Sequence, residues 1–490
     1  MKNAVQLITY VDRLGGGDLK ALHALLEHGL LQGLFGGVHL LPFFHPIDGA
    51  DAGFDPIDHL SVDQRLGDWA DVQALAQSVE VMGDVIVNHM SASSPQFLDY
   101  QAKGAASEYA GLFLRMDKVF PQGATEHDLL GIYRPRPGLP FTPYPVAGHR
   151  ELLWTTFTPQ QLDIDISHPQ GKAYLSNILQ RFADSGIRMV RLDAVGYAIK
   201  KAGTACFMGP ETFDFIAAFA AEARALGIEV LVEIHSYYQR QIEIAKQVDW
   251  VYDFALPPLV LHALTALDAA PLKRWIGLRP SNSLTVLDTH DGIGIIDIGA
   301  DAADRQGSPG LVSPAQLDAL VERMHRNSGG QSRQATGAAA SNLDLYQVNC
   351  TFYDALARSD AAYLTARAIQ FFLPGIPQVY YVGLLAGEND MALLAQSGVG
   401  RDINRHHYTP DEIQSACGKP VVQALFELIR LRNAHPAFQG EFDLLESTET
   451  ELRMRWRKGQ AWLELAVQLQ GPSAAITGQD EAGAATAWKA

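Results

Sequence analysis

The sequence predicts an α/β protein built as a (β/α)₈ (TIM) barrel, with two inserted subdomains at its C-terminal face and a small C-terminal antiparallel β domain. Three observations carry this expectation. Eight short β-rich runs alternate with segments of helical periodicity, chemistry-bearing polar residues collect at the ends of those runs, and the pattern turns to simple alternation after about residue 437.

The runs are VQLITY (5–10), GVHLLP (37–42), DVIVNH (84–89), MVRLDAV (189–195), EVLVEIH (229–235), WVYDFAL (250–256), SLTVLDTHD (283–291) and PQVYYVG (377–383). Their near-continuous apolar character suits parallel strands covered on both faces. Segments between them, such as LKALHALLEHGLLQGL and PETFDFIAAFAAEARALG, repeat apolar residues at helical spacing. A doubly wound open sheet is the alternative, because a single sequence does not display closure. RLGGGD (13–18) lacks dinucleotide-fingerprint spacing and reads as the loop after the first strand.

Two gaps exceed ordinary strand-to-helix connections. Residues 90–167 are rich in Pro, Gly and aromatics (GIYRPRPGLPFTPYP), and residues 293–357 are Gly-, Ala- and Asp-rich, ending in TGAAASNLDLYQVN. Both follow strand ends, which in a barrel puts them on the substrate-binding face; the alternative for each is a tolerated surface insertion. The expected division is therefore barrel at 1–89, 168–292 and 358–437, insertions at 90–167 and 293–357, and a β domain at 438–490. DLLEST, LRMRWR and WLELAVQL alternate as antiparallel strands do, whereas the low-complexity end, GPSAAITGQDEAGAATAWKA, is expected to fray.

Composition narrows the class. Across 490 residues, 47% hydrophobic and 19% charged content describes an ordinary globular chain, and a formal charge of -17 argues against nucleic acid or an anionic membrane as partner. Any anionic substrate must then be met by local arginines working against the global field. Cys206, Cys350 and Cys417 form no CxxC pair and suit free thiols in a reducing cytosol. Asp12 and Arg13 interrupt the first apolar run too early for a signal peptide, and no apolar run reaches the roughly 18–20 residues of a membrane span. The expectation is a cytoplasmic enzyme.

The strand ends carry the chemistry. RLDAV places Arg191 and Asp193 two apart and on one face, and VEIH does the same for Glu233 and His235. LDTHD gathers Asp288, His290 and Asp291, while the third run ends in Asn88 and His89. Burying such groups at the end of apolar strands is costly unless they serve a site or pair as structural salt bridges. Retaining glycoside chemistry calls for two carboxyls ~5–5.5 Å apart, which neighbouring strands provide. A further carboxylate nearby raises the acid's pKa, and Arg191 is expected to keep the Asp193 carboxylate ionised.

At these residues the sequence resembles the α-amylase-type glycoside hydrolase family, whose four signature regions match DVIVNH, IRMVRLDAV, EVLVEIH and VLDTHD. The resemblance implies Asp193 as nucleophile, Glu233 as general acid/base and Asp291 as transition-state stabiliser, with sugar contacts from His89, Arg191 and His290. A narrower resemblance, to the sucrose phosphorylase family, runs through MKNAVQLITYVDRLGGG, PFFHPIDGADAGFDPIDH, GIYRPRPGLPFT, RLDAVGYAIKKAGT, HSYYQRQ, AASNLDLYQVN, QFFLPGIPQVYYVG and GRDINRH. It implies reversible conversion of sucrose and phosphate into α-D-glucose 1-phosphate and fructose, with retention, without cofactor or metal, and in a homodimer. By the same resemblance Asp51 and Arg401 grip the far hydroxyls of the glucosyl ring, and Phe54, Tyr197 and Phe157 wall the pocket.

What separates phosphorolysis from hydrolysis is the acceptor. Phosphate is best met by planar, bidentate arginines. The first insertion offers Tyr133, Arg134 and Arg136; the second offers Asp344, Leu345, Tyr346 and Gln347; and His235, one pleat beyond Glu233, is placed to donate to the same anion. The alternative for the arginines is an exposed, solvated pair. The resemblance implies that the two loops alternate, Asp344 withdrawing when Arg136 turns inward. Pro135 and Leu345 add no basic group, which favours unphosphorylated fructose over fructose phosphate. Related phosphorylases acting on sucrose 6′-phosphate, glucosylglycerol or glucosylglycerate, and a hydrolase or transglucosylase on the same barrel, are the competing readings. The His-rich GRDINRHH (400–407) suits a sugar clamp better than a metal site.

Overall fold

A computed structural model describes residues 2–49, 51–134, 138–301, 307–336 and 347–490. Eight parallel strands close into a barrel: β1 (Gln6–Thr9), β2 (Gly37–Leu40), β3 (Glu80–Ile86), β4 (Met189–Asp193), β5 (Glu229–Val232), β6 (Trp250–Asp253), β7 (Ser283–Thr285) and β8 (Ile376–Tyr380). Neighbours in the ring are neighbours in sequence, and β8 returns to pair with β1, Gln6 opposite Gln378. The doubly wound alternative is thereby excluded. Each strand coincides with a β-rich run, although β3 begins at Glu80, ahead of the apolar stretch. Gly83 weakens the pattern there, and a Cβ on it would press Phe182 of the helix Pro169–Asp184 at 3.2 Å.

The helices start where local chemistry caps them. Asp18 accepts from Ala21 N at 2.7 Å to open Leu19–Glu27, and Asp68 with Asp71 forms a capping box for Trp69–Ser78. The first helix is shorter than its apolar pattern and ends before Gly29, whose Cβ would lie 2.8 Å from Leu25 Cα.

The barrel interior departs from the apolar reading. Gln6, His39, Asp84, Arg191, Tyr252 and Gln378 are all buried. Gln378 Nε2 donates to Gln6 Oε1 at 2.8 Å, the Tyr252 hydroxyl donates to Gln378 Oε1 at 3.1 Å, and His39 Nε2 meets Asp84 Oδ2 at 2.9 Å. These bonds pair most of the buried polar groups within the ring, the condition under which burial is tolerated. This network leads upward to Arg191 and the C-terminal face.

After β3 the chain forms helices, the hairpin Phe141–Val146/His149–Trp154, and a short strand Gln161–Asp163 paired with His89–Ser91. After β7, Ile293–Gly294 pairs with Gln347–Val348 across the helices Pro314–Asn327 and Gln331–Thr336. The C-terminal sheet comprises β9 (Glu441–Leu445), β10 (Glu451–Lys458), β11 (Ala461–Gln468), β12 (Ser473–Gln479) and β13 (Ala485–Lys489).

The final stretch does not fray. It supplies β12 and β13, and Trp488 is buried with its Nε1 donating to Ala424 O at 3.2 Å. One aromatic anchor and ladder pairing outweigh a composition poor in bulky residues. Cys206, Cys350 and Cys417 are free and buried, and among the described residues no helix is long and apolar enough to cross a membrane.

Candidate active site

The strands stop sooner than the motifs that end them. Asp193 is the last residue of β4, Glu233 follows β5 directly, and His290 and Asp291 lie several residues beyond β7. The shared faces expected for Glu233 with His235 therefore arise in loops rather than in strands. Freed from the ladder, these side chains turn over the mouth of the barrel. Asp51, Phe54, His89, Phe157, Asp193, Tyr197, Glu233, His235, His290, Asp291, Gln347 and Arg401 line one pocket there, joined by Gln161 and Ala194.

Arg191 lies under this pocket and holds it together. Its Nη1 is 2.5 Å from Asp84 Oδ1 and 3.1 Å from Asp193 Oδ1, while Nη2 is 3.1 Å from Glu233 Oε1. Arg401 Nη1 reaches Asp291 Oδ1 at 2.9 Å and Asp51 Oδ2 at 3.8 Å. Phe54 stacks on His290 with ring centroids 4.7 Å apart and also faces the Arg191 guanidinium. Phe157 stands edge-on to both His89 and Tyr197, making a continuous aromatic wall. Ala194, at φ 55°, takes a left-handed turn immediately after Asp193 and ends the strand.

The environment drives the carboxyls apart. Burial raises the Asp193 pKa well above the usual carboxylate range; Arg191 opposes this, but Glu233 and Asp84 add to it. The expectation that Arg191 keeps Asp193 ionised is thus only half met, because one guanidinium serves three carboxylates. Asp291 goes the other way. Burial disfavours its charge, yet the Arg401 and Arg191 guanidinium groups outweigh that and hold it well below the usual range. Burial also lowers His290 and His89, keeping both imidazoles neutral, as hydroxyl recognition requires.

Asp288 takes the structural alternative. Both its oxygens lie 2.8 Å from Arg367 Nη2 in a fully buried ion pair. Tyr380 and Tyr381 are wholly buried, donating their hydroxyls to Asn404 O and His406 O, and act as packing.

Of the acceptor residues, His235 and Gln347 reach the pocket. Tyr133 stacks on Phe207 at 4.5 Å and on Tyr197 at 6.2 Å, behind the wall. Arg134 donates Nη1 to Gly138 O and does not line the pocket. Arg136, Asp344, Leu345 and Tyr346 lie outside the described residues.

Three supporting residues escaped the sequence reading. Asp84 opens DVIVNH and lies beside Arg191 in the β3–β4 register, a pairing that period-two reasoning gives once strand adjacency is known. Arg405, buried, donates Nε to His290 O at 3.0 Å and sits 3.9 Å from Asp51. Asp297, isolated in the apolar run GIGIIDIG, carried no local signal.

Among the described residues, Glu233, His235 and Asp291 form the trio close enough to share a cation, with donor atoms within 4.8 Å of one another. Arg191 and Arg401 already engage its two carboxylates, which disfavours a second cation there.

The comparisons agree with this geometry. Residues 11–254 match the family model described as alpha amylase, catalytic domain. The chain is 61% identical over 478 residues to a sucrose phosphorylase of Agrobacterium vitis, covering 97% of each chain. It is 54% identical to a sucrose phosphorylase of Bifidobacterium adolescentis, covering 99% of this chain and 97% of the other. The crystal structure of sucrose 6F-phosphate phosphorylase from Thermoanaerobacter thermosaccharolyticum superposes with TM-score 0.91 at 37% identity, covering 100% of this chain and 98% of that one. The chain belongs to the α-amylase family, within its sucrose phosphorylase branch.

Proposed function

We propose that this protein is a glucosyltransferase catalysing the reversible phosphorolysis of sucrose to α-D-glucose 1-phosphate and D-fructose. The observation that carries this reading is identity of 61% over 97% of the chain with a sucrose phosphorylase. The pocket supports it with one carboxylate pair bridged by Arg191 and a strongly acidic Asp291 beside it.

In the first step an Asp193 oxygen attacks C1 of the glucosyl unit while Glu233 protonates the departing fructosyl oxygen, so that the C1–O bond breaks and a glucosyl ester forms. In the second, Glu233 takes a proton from phosphate, whose oxygen attacks C1 from the vacated side and displaces Asp193. Two inversions give retention. Asp291 faces the positive charge developing at the ring, and Asp51 with Arg401 holds its far hydroxyls. Phe54, His89, Phe157, Tyr197 and His290 shape the glucosyl subsite. His235 and Gln347 face the acceptor, Tyr133 backs the aromatic wall, and Arg136, Asp344, Leu345 and Tyr346 are the candidates from the two insertions to meet phosphate or fructose. We further place the protein in the cytoplasm as a homodimer, which sedimentation of the purified enzyme checks.

The test is incubation with sucrose with and without phosphate, following glucose 1-phosphate against free glucose. Phosphate-dependent glucose 1-phosphate is expected. Glucose release that ignores phosphate would overturn the reading. A higher kcat/KM with sucrose 6′-phosphate than with sucrose would transfer it to a phosphorylated acceptor.

A further inference from the structure

Behind the pocket, His235 does not stand alone. Its Nδ1 is 2.9 Å from Asp297 Oδ2, both groups are buried, and its ring stacks on Phe254 with centroids 3.8 Å apart. Asp297 is itself anchored: its Oδ1 accepts from Ser236 N at 3.2 Å and from Gln241 Nε2 at 3.0 Å. Gly294 lies against the imidazole–carboxylate contact. A Cβ there would overlap Asp297 Oδ2 and come within 2.8 Å of His235 Nδ1, so the close approach requires a residue with no side chain. Gly294 pairs with Gln347, which puts the two acceptor-side residues of the pocket on one support.

Resting on the reading of this site as a phosphorylase, we propose that Asp297 is a positioning residue that holds His235 as an imidazolium, with Nδ1–H committed to Asp297 and Nε2–H presented to the incoming phosphate. The chemistry follows from the two ring nitrogens. With Nδ1–H bonded to a carboxylate, a neutral ring would offer phosphate only a lone pair at Nε2, whereas the cation offers a proton and a charge. The groups facing His235 favour the cation: Asp297 from the segment after β7, Glu233 from the loop directly after β5, and Asp291 from the β7 loop. Burial opposes the charge, but these anions outweigh it and raise the imidazole above its ordinary pKa. A phosphate dianion entering beside Glu233 and Asp291 thus meets a fixed positive donor from below, while hydrolysis of the same ester needs no such group.

Asp297→Asn is the informative change, because its Oδ1 retains the bonds to Ser236 and Gln241 while the amide removes the charge facing Nδ1. The amide NH2 then donates to Nδ1 and leaves a neutral ring that keeps Nε2–H but has lost its charge, so the apparent KM for phosphate is expected to rise ~3–10-fold, the difference between a charge-assisted and a neutral hydrogen bond. Hydrolysis of sucrose without phosphate should change far less. The decline of kcat/KM for phosphate with rising pH should begin at lower pH in the variant; phosphate's own ionisation is common to both proteins and cancels. A His235→Gln background should erase the effect of Asp297→Asn, and Gly294→Ala should reproduce it.

An unchanged KM for phosphate, equal loss of phosphorolysis and hydrolysis, or additive losses in the double variant would each overturn the inference. Wild-type enzyme measured alongside separates the two readings: if it makes no glucose 1-phosphate from sucrose, the proposed function fails first.

Discussion

Arg191 grips Asp193 and Glu233 at the same time, one guanidinium nitrogen 3.1 Å from each carboxylate. The fork fixes the spacing of the two carboxylates proposed above as nucleophile and acid/base. It also divides a single positive charge among Asp84, Asp193 and Glu233, and the surplus of negative charge has a thermodynamic cost.

That cost is measurable at Asp193. Its pKa is raised in the folded protein, so the native state binds more protons than the unfolded state above the ordinary carboxylate value, ~4. Stability therefore falls as pH rises through that window. Asp193→Asn should be more stable than wild type at neutral pH by about 0.5–2 kcal/mol, with the gain vanishing in acid. Thermal melts across pH read it. The same variant should lose sucrose turnover by about 10⁴-fold or more, and substantial residual turnover would reassign the nucleophile.

On the proposed mechanism, Glu233→Gln removes proton delivery and leaves the nucleophile. Activity on sucrose should drop by ~10²–10⁴-fold, while α-glucosyl fluoride, whose leaving group needs no proton, should still yield the glucosyl ester. Initial rates on the two donors give the comparison. A parallel loss on both would move Glu233 out of the acid role.

Two aspartates three positions apart should behave as opposites. Asp288 is buried against Arg367 and Asp291 lines the pocket. Asp288→Asn strands a buried guanidinium and should destabilise the fold by roughly 3–5 kcal/mol with little change in kcat of the folded fraction. Asp291→Asn should do the reverse. Denaturant unfolding together with kcat separates them.

The C-terminal sheet yields a packing prediction. Trp488 is buried in the last strand and bonded to Ala424 O. Trp488→Ala should cost about 3 kcal/mol or more, seen as a lower denaturation midpoint, with KM for sucrose unaltered.

Much of this architecture was readable because apolar runs report strands whatever surrounds them. All eight barrel strands overlap their runs, and residues such as Asp193, Glu233 and Asp291 announce themselves as charges where an apolar pattern ends. What stayed hidden depends on distant partners. Asp84 and Arg405 are ordinary charges until the fold places Arg191 and Asp51 beside them. Asp297 acquires meaning only where Gly294 lets it approach His235. The terminal stretch misled because a few well-placed residues, Trp488 and Ile476 among them, are enough to seat two strands that composition marks as soft.

Pairing of Gln6 with Gln378 closes the ring across 372 residues of chain. On a ribosome adding ~5–20 residues each second, β1 is made roughly 20–75 s before the strand that completes it. Throughout that interval the nascent sheet has an open edge flanked by apolar Leu7 and Ile8, both wholly covered in the finished protein. Protection of that edge during synthesis should therefore matter: scarce chaperones should send more chains to inclusion bodies without altering the activity of those that close.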